Sequence, residues 1–146
     1  MYIITLLIID QVAKWLSKVN LQPSSIYKVI NNMLSFTYVE NRGAAFGMMT
    51  GKQIFLIVVT IVALIYLIYK YYKDVRKSKD KLLKAGFILI ISGAIGNLID
   101  RIFLGYVIDF IKLEFIDFPV FNFADIYVSV GCIIISFYIL FKHEEE

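Results

Sequence analysis

Two aspartates in the C-terminal third of the chain stand at the edge of strongly apolar sequence. Asp109 lies in GYVIDFIK, and Asp125 follows sixteen residues later in FNFADIYVSVGCIIISFYIL, one helical turn after Asn122. Two carboxylates a few ångströms apart cannot comfortably both ionise, so they share one proton. One member can then act as a base while the other acts as an acid. Such a pair could activate a water molecule for hydrolysis.

Two other apolar segments also carry ionisable residues, which are costly inside a bilayer and indicate function. Asp10 and Lys14 share one helix face through their i,i+4 spacing, with the acidic residue first. Asn97, Asp100 and Arg101 lie close together in SGAIGNLIDR. Asp100 and the two aspartates above are three carboxylates that compete for two places in a catalytic pair. Spacing alone does not choose between them.

Each of these features also has a purely structural interpretation. The charged pairs could be a buried ion pair on the first segment and an interfacial pair on the third. Asp125 could be a helix N-terminal residue favoured by the macrodipole, and Asp109 an ordinary loop carboxylate. Asn41-Arg42-Gly43 is also a turn signal. The convergence of these residues on one level of the bilayer is stronger evidence than any one of them.

Other hydrolytic chemistries lack their residues. The chain has one histidine and one cysteine, His143 and Cys132. His143 lies in the charged tail, so neither a Ser-His nor a Cys-His pair is expected near the aspartates. Zinc ligands at the usual spacing are missing from the sequence, and neither a metal nor a cofactor is predicted. Aromatic residues are not paired with a basic stripe, so nucleic acid is not an expected partner.

The elements that must position these residues are apolar helices. The chain has 146 residues, 60% of them hydrophobic, with a mean hydropathy of +0.75. Four segments approach the roughly 20 apolar residues that a transmembrane helix needs, at about 1–19, 53–72, 82–103 and 124–142. The first segment has neither a basic leader region nor a small-residue cleavage site, so it is interpreted as a retained helix. The predicted class is an all-α membrane protein forming a single domain over residues 1–146.

The charge of the connecting segments predicts the topology. The link at about 73–81 and its flanks, from Lys70 to Lys84, are rich in lysine and arginine, and basic loops stay in the cytoplasm. The links at about 20–52 and 104–123 contain few basic residues and are predicted to lie outside. Both termini are then cytoplasmic, and most of the polar residues lie toward the outer face.

Two further features concern packing and the outer face. LSFTYVENRGAAFG, between the first two helices, alternates roughly before a turn signal, and predicts a small extracytoplasmic β-structure. Gly93 and Gly96 should let a neighbouring helix approach the third helix closely.

The motifs that contain these residues resemble those of the bacterial lipoprotein signal peptidases, or signal peptidase II. The family's D-Q-x-x-K occurs as DQVAK, its N-x-G-A-A-F as NRGAAF, its G-N-x-I-D-R as GNLIDR, its V-x-D-F as VIDF and its F-N-x-A-D as FNFAD. Five motifs in this order, covering nearly the whole chain, are highly specific. Ser92 stands where many members have glycine, which is a mild change in packing.

The resemblance implies an aspartyl endopeptidase with four transmembrane helices and a small outer β-cradle between helices one and two. It assigns the catalytic pair to Asp109 and Asp125 and leaves Asp100 outside the pair. The other motif residues become candidates for binding substrate or supporting the site: Asn41, Gly43, Asn97, Asp100, Arg101, Asn122, Asp10 and Lys14. Of these, Asn97 and Arg101 could hold substrate carbonyls, Asn41 and Gly43 could offer donors to the substrate, and Asp10 with Lys14 could brace the helices.

The substrate implied by the resemblance is a prolipoprotein signal peptide, cut before a diacylglyceryl-modified cysteine in the bacterial plasma membrane. Membrane lipid is an implied partner, and a single chain is sufficient for the activity. The competing hypothesis is a proton-coupled transporter that uses intramembrane charged pairs. Transporters usually contain internal repeats and a site at the midplane, and neither is evident in this sequence.

Overall fold

The computed structural model describes residues 2–21, 25–43 and 50–141. Within them the chain forms four long helices and three strands. The helices are α1 (Tyr2–Asn20), α2 (Gln53–Lys70), α3 (Lys81–Phe103) and α4 (Phe123–Phe141), and the strands are β1 (Tyr27–Ile30), β2 (Leu34–Asn41) and β3 (Val107–Leu113). A π-helical turn, Tyr71–Val75, extends α2. The predicted helix limits agree with these to within about two residues.

Three of the described helices are long and apolar enough to cross a membrane: α2 with its π-helical extension, α3 and α4. Their outward faces are apolar, and α2 buries only Leu64. The fourth, α1, contains Asp10, Lys14 and Lys18 among its 19 residues. Its exposed side chains are nevertheless largely apolar, including Ile4, Trp15 and Val19. A membrane span by α1 stays a prediction.

The sheet corrects the predicted location of the β-structure. Its strand order is β1-β2-β3, antiparallel throughout. Only β1 and β2 come from the link between α1 and α2, whereas β3 comes from the link between α3 and α4. The sequence of β3, VIDFIKL, is buried along most of its length, so it lacks the alternation that identifies a half-exposed strand. This strand carries Asp109.

The two ends of α3 explain how the chain enters and leaves the helix next to the site. Asp80 caps its first turn, accepting hydrogen bonds from the backbone N–H groups of Leu82 and Leu83 at 2.8 and 3.0 Å. After the last turn Gly105 adopts φ +78° and donates to the Arg101 carbonyl. Glycine is the residue that most readily takes this conformation. The reversal sends the chain directly into β3.

Glycines let α3 approach α4 and α1 closely, as the sequence predicts for Gly93 and Gly96. A Cβ atom at Gly93 would lie 2.3 Å from the Ala124 carbonyl oxygen, and one at Gly96 would lie 2.7 Å from Asp10 Oδ2. Gly86 and Gly131 face each other farther along the same helices. The backbones can therefore approach where side chains would separate them.

Gly93→Ala is expected to destabilise the protein by about 1–3 kcal/mol or more, since the new carbon meets backbone rather than a side chain that can move. Displacing Ala124 would also move the neighbouring Asp125. Thermal unfolding of the purified protein measures the effect. Val62→Leu is the control, because it adds one carbon at an exposed position of α2. Equal unfolding temperatures for Gly93→Ala and Val62→Leu would contradict the close packing.

Candidate active site

Asp109 lies in the middle of β3 and is 2% exposed. Val39 of β2 is its partner across the sheet, which puts Asn41, two residues on, diagonally opposite on the same face. The Asn41 amide Nδ2 donates to Asp109 Oδ2 at 2.9 Å. The Asn122 amide Nδ2 donates to the other oxygen, Oδ1, at 2.7 Å. Both oxygens of this buried carboxylate are thus held by side-chain amides.

Asp125 is positioned by the start of α4. The Asn122 side-chain oxygen accepts from the backbone N–H of Asp125 at 2.9 Å, and Asp125 Oδ2 accepts from the backbone N–H of Asn122 at 3.1 Å. This reciprocal pair has the geometry of a capping box, which satisfies two backbone donors that the helix leaves free. The other oxygen, Oδ1, accepts from Asn97 Nδ2 at 2.8 Å.

Asn122 therefore joins the two carboxylates. It is fully buried, and its one side chain caps the helix that carries Asp125 and donates to Asp109. Each of the four carboxylate oxygens accepts one N–H hydrogen bond from the protein. Their positions are set by β3, by α4 and by the amide that links them.

Asn97 connects this pair to a buried cation. Its side-chain oxygen accepts from Lys14 Nζ at 3.0 Å and from Asn122 Nδ2 at 3.1 Å. Because an ammonium group can only donate, Lys14 fixes the orientation of the amide. The Asn97 NH₂ group must then face Asp125.

Lys14 itself lies between two carboxylates. Its Nζ is 2.9 Å from Asp10 Oδ2 and 3.0 Å from Asp100 Oδ2, and the three side chains are at most 3% exposed. The ion pair predicted from the i,i+4 spacing is present, and Asp100 is its third member. Asp10 also accepts from the backbone N–H of Ala124 in the first turn of α4, and Asp100 accepts from that of Ile108 in β3. We call Asp10, Lys14 and Asp100 the buried charge cluster.

Gln11 is a site residue that sequence reasoning did not single out. Its amide donates to Asp10, to Asp100 and to the Gly96 carbonyl, at 3.1 to 3.3 Å. It thereby supports both carboxylates of the buried charge cluster. The available signal was the motif D-Q-x-x-K, present here as DQVAK, in which Gln11 stands between Asp10 and Lys14.

A cavity of about 720 Å³ opens between α2, α3 and α4, and both Asp109 and Asp125 line it. Most of its wall is apolar, with contributions such as Val59, Leu67 and Ile90. We call it the membrane cavity. A second cavity of about 400 Å³, the sheet cavity, is lined by residues 39–43, Thr50, Asp109 and residues 119–120. Asn41 and Asp109 border both.

Arg101 also lines the membrane cavity. Its guanidinium donates to the carbonyl of Asn97 at 3.5 Å and to that of Gly43 at 3.3 Å. Its Nε is buried and has no hydrogen-bond partner within the part of the chain that the structure describes. Gly43 in turn donates its N–H to the Asn41 side chain at 3.0 Å. The rest of the NRGAAFG motif, from residue 44, lies outside the described residues.

Burial raises the pKa of Asp109 to about 7, and the negative charge of Asp125 contributes in the same direction. Hydrogen bonds from Asn41 and Asn122 oppose the rise because they favour the charged form. A carboxyl group with such a pKa can carry a proton near neutral pH. The geometry and the electrostatics together permit acid–base chemistry at the membrane cavity.

All ten residues that the sequence analysis proposed for the site lie in one connected network. Asp109 and Asp125 border the membrane cavity, whereas Asp10, Lys14 and Asp100 lie behind them as the buried charge cluster. Asn97, Asn41 and Gly43, which the sequence analysis considered as groups that contact substrate, form hydrogen bonds with other protein groups, and their contact with substrate stays a prediction.

The chain is similar to known proteins along nearly its whole length. The family model of signal peptidase (SPase) II matches residues 2–141. The chain is 46% identical over 135 residues to the lipoprotein signal peptidase of Caldanaerobacter subterraneus subsp. tengcongensis, covering 92% of this chain and 90% of that one. It is 43% identical over 140 residues to that of Clostridioides difficile, covering 95% and 92%.

A solved bacterial membrane enzyme has the same fold. It superposes with a TM-score of 0.92 at 33% identity, over 99% of this chain and 88% of the other. A second bacterial membrane enzyme gives 0.87 at 34% identity, over 97% and 91%. These likenesses and the apolar helices indicate a multi-pass protein of the bacterial cell membrane. The match along nearly the whole chain means that this protein belongs to the signal peptidase II family.

Proposed function

We propose that this chain is an aspartyl endopeptidase that removes the signal peptide from diacylglyceryl-modified prolipoproteins. The observation that carries the proposal is the pair Asp109 and Asp125, joined through Asn122 at the wall of the membrane cavity. The relatives in Caldanaerobacter and Clostridioides are lipoprotein signal peptidases. Family membership also favours a peptidase over the proton-coupled transporter considered from the sequence.

The proposed mechanism uses one proton shared by the two carboxylates. The ionised member removes a proton from a water molecule as the water attacks the scissile carbonyl carbon. The protonated member donates to the carbonyl oxygen, which develops negative charge. When the tetrahedral intermediate collapses, the leaving amine takes up a proton and the carboxylates exchange roles. The pair titrates as a unit, so the shared proton belongs to both.

The supporting residues have three roles under this proposal. Asn41, Asn97 and Asn122 hold the carboxylate oxygens, and the buried charge cluster anchors the elements behind them. Arg101, whose Nε is buried at the wall of the membrane cavity, holds a substrate carbonyl close to the cleaved bond. The apolar wall of that cavity accommodates the signal helix and acyl chains.

We further propose that α1 is a fourth membrane span, with both chain termini in the cytoplasm. The charges that make α1 less apolar, Asp10 and Lys14, are paired and buried against α3, so they do not face lipid. The basic link between α2 and α3 then stays inside. The sheet and the first turn of α4 lie near the outer face in this arrangement, and so does the site.

The pH dependence of cleavage should have a descending limb near neutrality. An acid whose pKa is raised to about 7 carries its proton below that pH and loses it above. The pair then has two negative charges and lacks its proton donor, so kcat/KM should fall about tenfold per pH unit above the pKa. Initial rates from about pH 6 to pH 9 measure this. Return to pH 7 after incubation at pH 9 should restore the rate, and a constant kcat/KM over this range would contradict the shared proton.

The direct test is cleavage of a synthetic prolipoprotein peptide by the purified protein in detergent. One peptide carries a diacylglyceryl cysteine and its control an unmodified cysteine, with product masses determined by mass spectrometry. The expected result is a single cut before the lipidated cysteine and little or no cut in the control. Failure to cleave the lipidated peptide would refute the proposal.

A further inference from the structure

The sheet cavity is a second space beside the candidate carboxylate pair, and its surroundings differ from those of the membrane cavity. It lies against β2 rather than between membrane helices, and its wall includes the charged residues Glu40 and Arg42. Its volume of about 400 Å³ is within the range of ligand sites. Asn41 and Asp109 belong to both walls, so a chain cut at Asp109 can extend into both spaces.

This inference rests on the proposed function. The polarity of each part of the substrate indicates which of the two cavities that part occupies. The signal segment and the acyl chains are apolar and are stabilised in apolar surroundings. They suit the membrane cavity. The chain beyond the lipidated cysteine begins the mature protein and leads toward water. It suits the sheet cavity.

Arg42 is placed to contact the first residues of that segment. It directly follows Asn41, whose amide donates to Asp109, and consecutive Cα atoms are about 3.8 Å apart. Its side chain is 63% exposed, and it lies over the Tyr106 ring at 5.5 Å. One or two residues past the cleaved bond are therefore within its reach.

The local hydrogen bonds indicate which charge this subsite prefers. Both oxygens of Glu40 already accept: Oε2 from Arg42 Nη2 at 3.0 Å, and Oε1 from the Tyr38 hydroxyl at 3.3 Å. The hydrogen bond from Arg42 also keeps the pKa of Glu40 below its usual value. The guanidinium carries five N–H donors in a fork that matches a carboxylate. Arg42, which donates to Glu40 through Nη2, has further N–H donors with which to bind an anion.

We propose that the sheet cavity binds the residues that follow the lipidated cysteine, and that Arg42 makes it favour an acidic over a basic side chain there. Arg42 is a specificity residue in this proposal and takes no part in bond cleavage. Because it is exposed, its contribution should be modest and should weaken as salt increases.

The test is an internal competition among three lipidated peptides that differ only in the residue after the cysteine: Asp, Ser or Lys. Their relative cleavage gives ratios of kcat/KM that are independent of the amount of active protein. Wild type should cut the Asp peptide about threefold faster than the Lys peptide, and high salt should reduce the ratio. Arg42→Gln should remove the preference, and Arg42→Glu should reverse it.

Lys112→Gln is the matched control. Lys112 is also a surface cation paired with a glutamate two residues away, Glu114 at 3.4 Å, but it does not line the sheet cavity. Its variant should keep the wild-type ratio. Unchanged ratios in both Arg42 variants, with the Ser peptide still cut, would overturn this inference and leave the proposed function standing. If wild type cuts none of the three peptides, the proposed function falls and this inference falls with it.

Discussion

Asp109→Asn and Asp125→Asn are each expected to lower the rate of lipidated-peptide cleavage by about 10⁴-fold or more, because in the proposed mechanism each removes a group that must both donate and accept a proton. The amide is nearly the same size as the carboxyl group and cannot act as the base. Asp117→Asn makes the same chemical change at an exposed position before α4, and should retain wild-type activity. Single-turnover rates with the diacylglyceryl peptide measure all three.

Loss of activity must be separated from loss of folding. Each oxygen of Asp109 and Asp125 faces an N–H donor, so an asparagine NH₂ group there opposes another donor. A buried mismatch of this kind costs about 1–3 kcal/mol. Thermal unfolding should therefore find both variants folded but somewhat less stable than wild type.

Asp100→Asn tests which two of the three carboxylates form the catalytic pair. Asp100 contacts Lys14, Gln11 and the Ile108 backbone, and it does not line either cavity. Its variant should be destabilised but should cleave the lipidated peptide much faster than Asp109→Asn and Asp125→Asn do. An inactive Asp100→Asn beside a fully active Asp109→Asn would show that the catalytic pair is assigned to the wrong residues.

Lys14→Met is expected to destabilise the protein by about 3–5 kcal/mol, because it leaves Asp10 and Asp100 buried together without their cation. It should also reduce activity, since Asn97 loses the donor that orients its amide toward Asp125. Thermal unfolding and cleavage of the lipidated peptide measure the two effects. Lys18→Met, one turn farther along α1 and exposed, is the control for removing a lysine from this helix.

A triple variant separates the two roles of Lys14. The triple variant Lys14→Met, Asp10→Asn, Asp100→Asn has no uncompensated buried charge in the cluster. It should therefore be more stable to unfolding than Lys14→Met alone. It should not recover activity, since Asn97 still lacks its donor. A Lys14→Met protein that unfolds at the wild-type temperature would refute the importance of the cluster.

Much of the fold could be predicted from the sequence because membrane helices are long apolar runs with a strong compositional signal. The limits of α2, α3 and α4 followed from that signal. β3 did not, because a short buried strand has neither the length of a helix nor the alternation of an exposed strand. The structural partner of Asp109 in β2 was therefore not predictable either.

The candidate site also contains local contacts that the sequence could predict and long-range contacts that it could not. Asn122 and Asp125 are three residues apart, so their reciprocal hydrogen bonds are local and could have been read as a capping box. The pairing of Lys14 with Asp100 joins residues far apart in sequence, and depends on how α1 packs against α3. Their opposite charges alone suggested that Asp100 forms an ion pair with its neighbour Arg101. The structure instead directs it away from Arg101, toward Lys14 and β3.

The buried charge cluster also has a consequence for biosynthesis. Asp10 and Lys14 are synthesised with the first helix, whereas Asp100 is synthesised with the third. Ala124, whose backbone N–H donates a hydrogen bond to Asp10, is synthesised with the fourth. Until α3 and α4 arrive, α1 carries a charged pair with incomplete compensation. The nascent first helix is thus stabilised by segments that leave the ribosome later. Assembly of the helices and completion of the support behind Asp109 and Asp125 are therefore the same step, so a chain whose later helices are not yet in place lacks the positioned carboxylate pair.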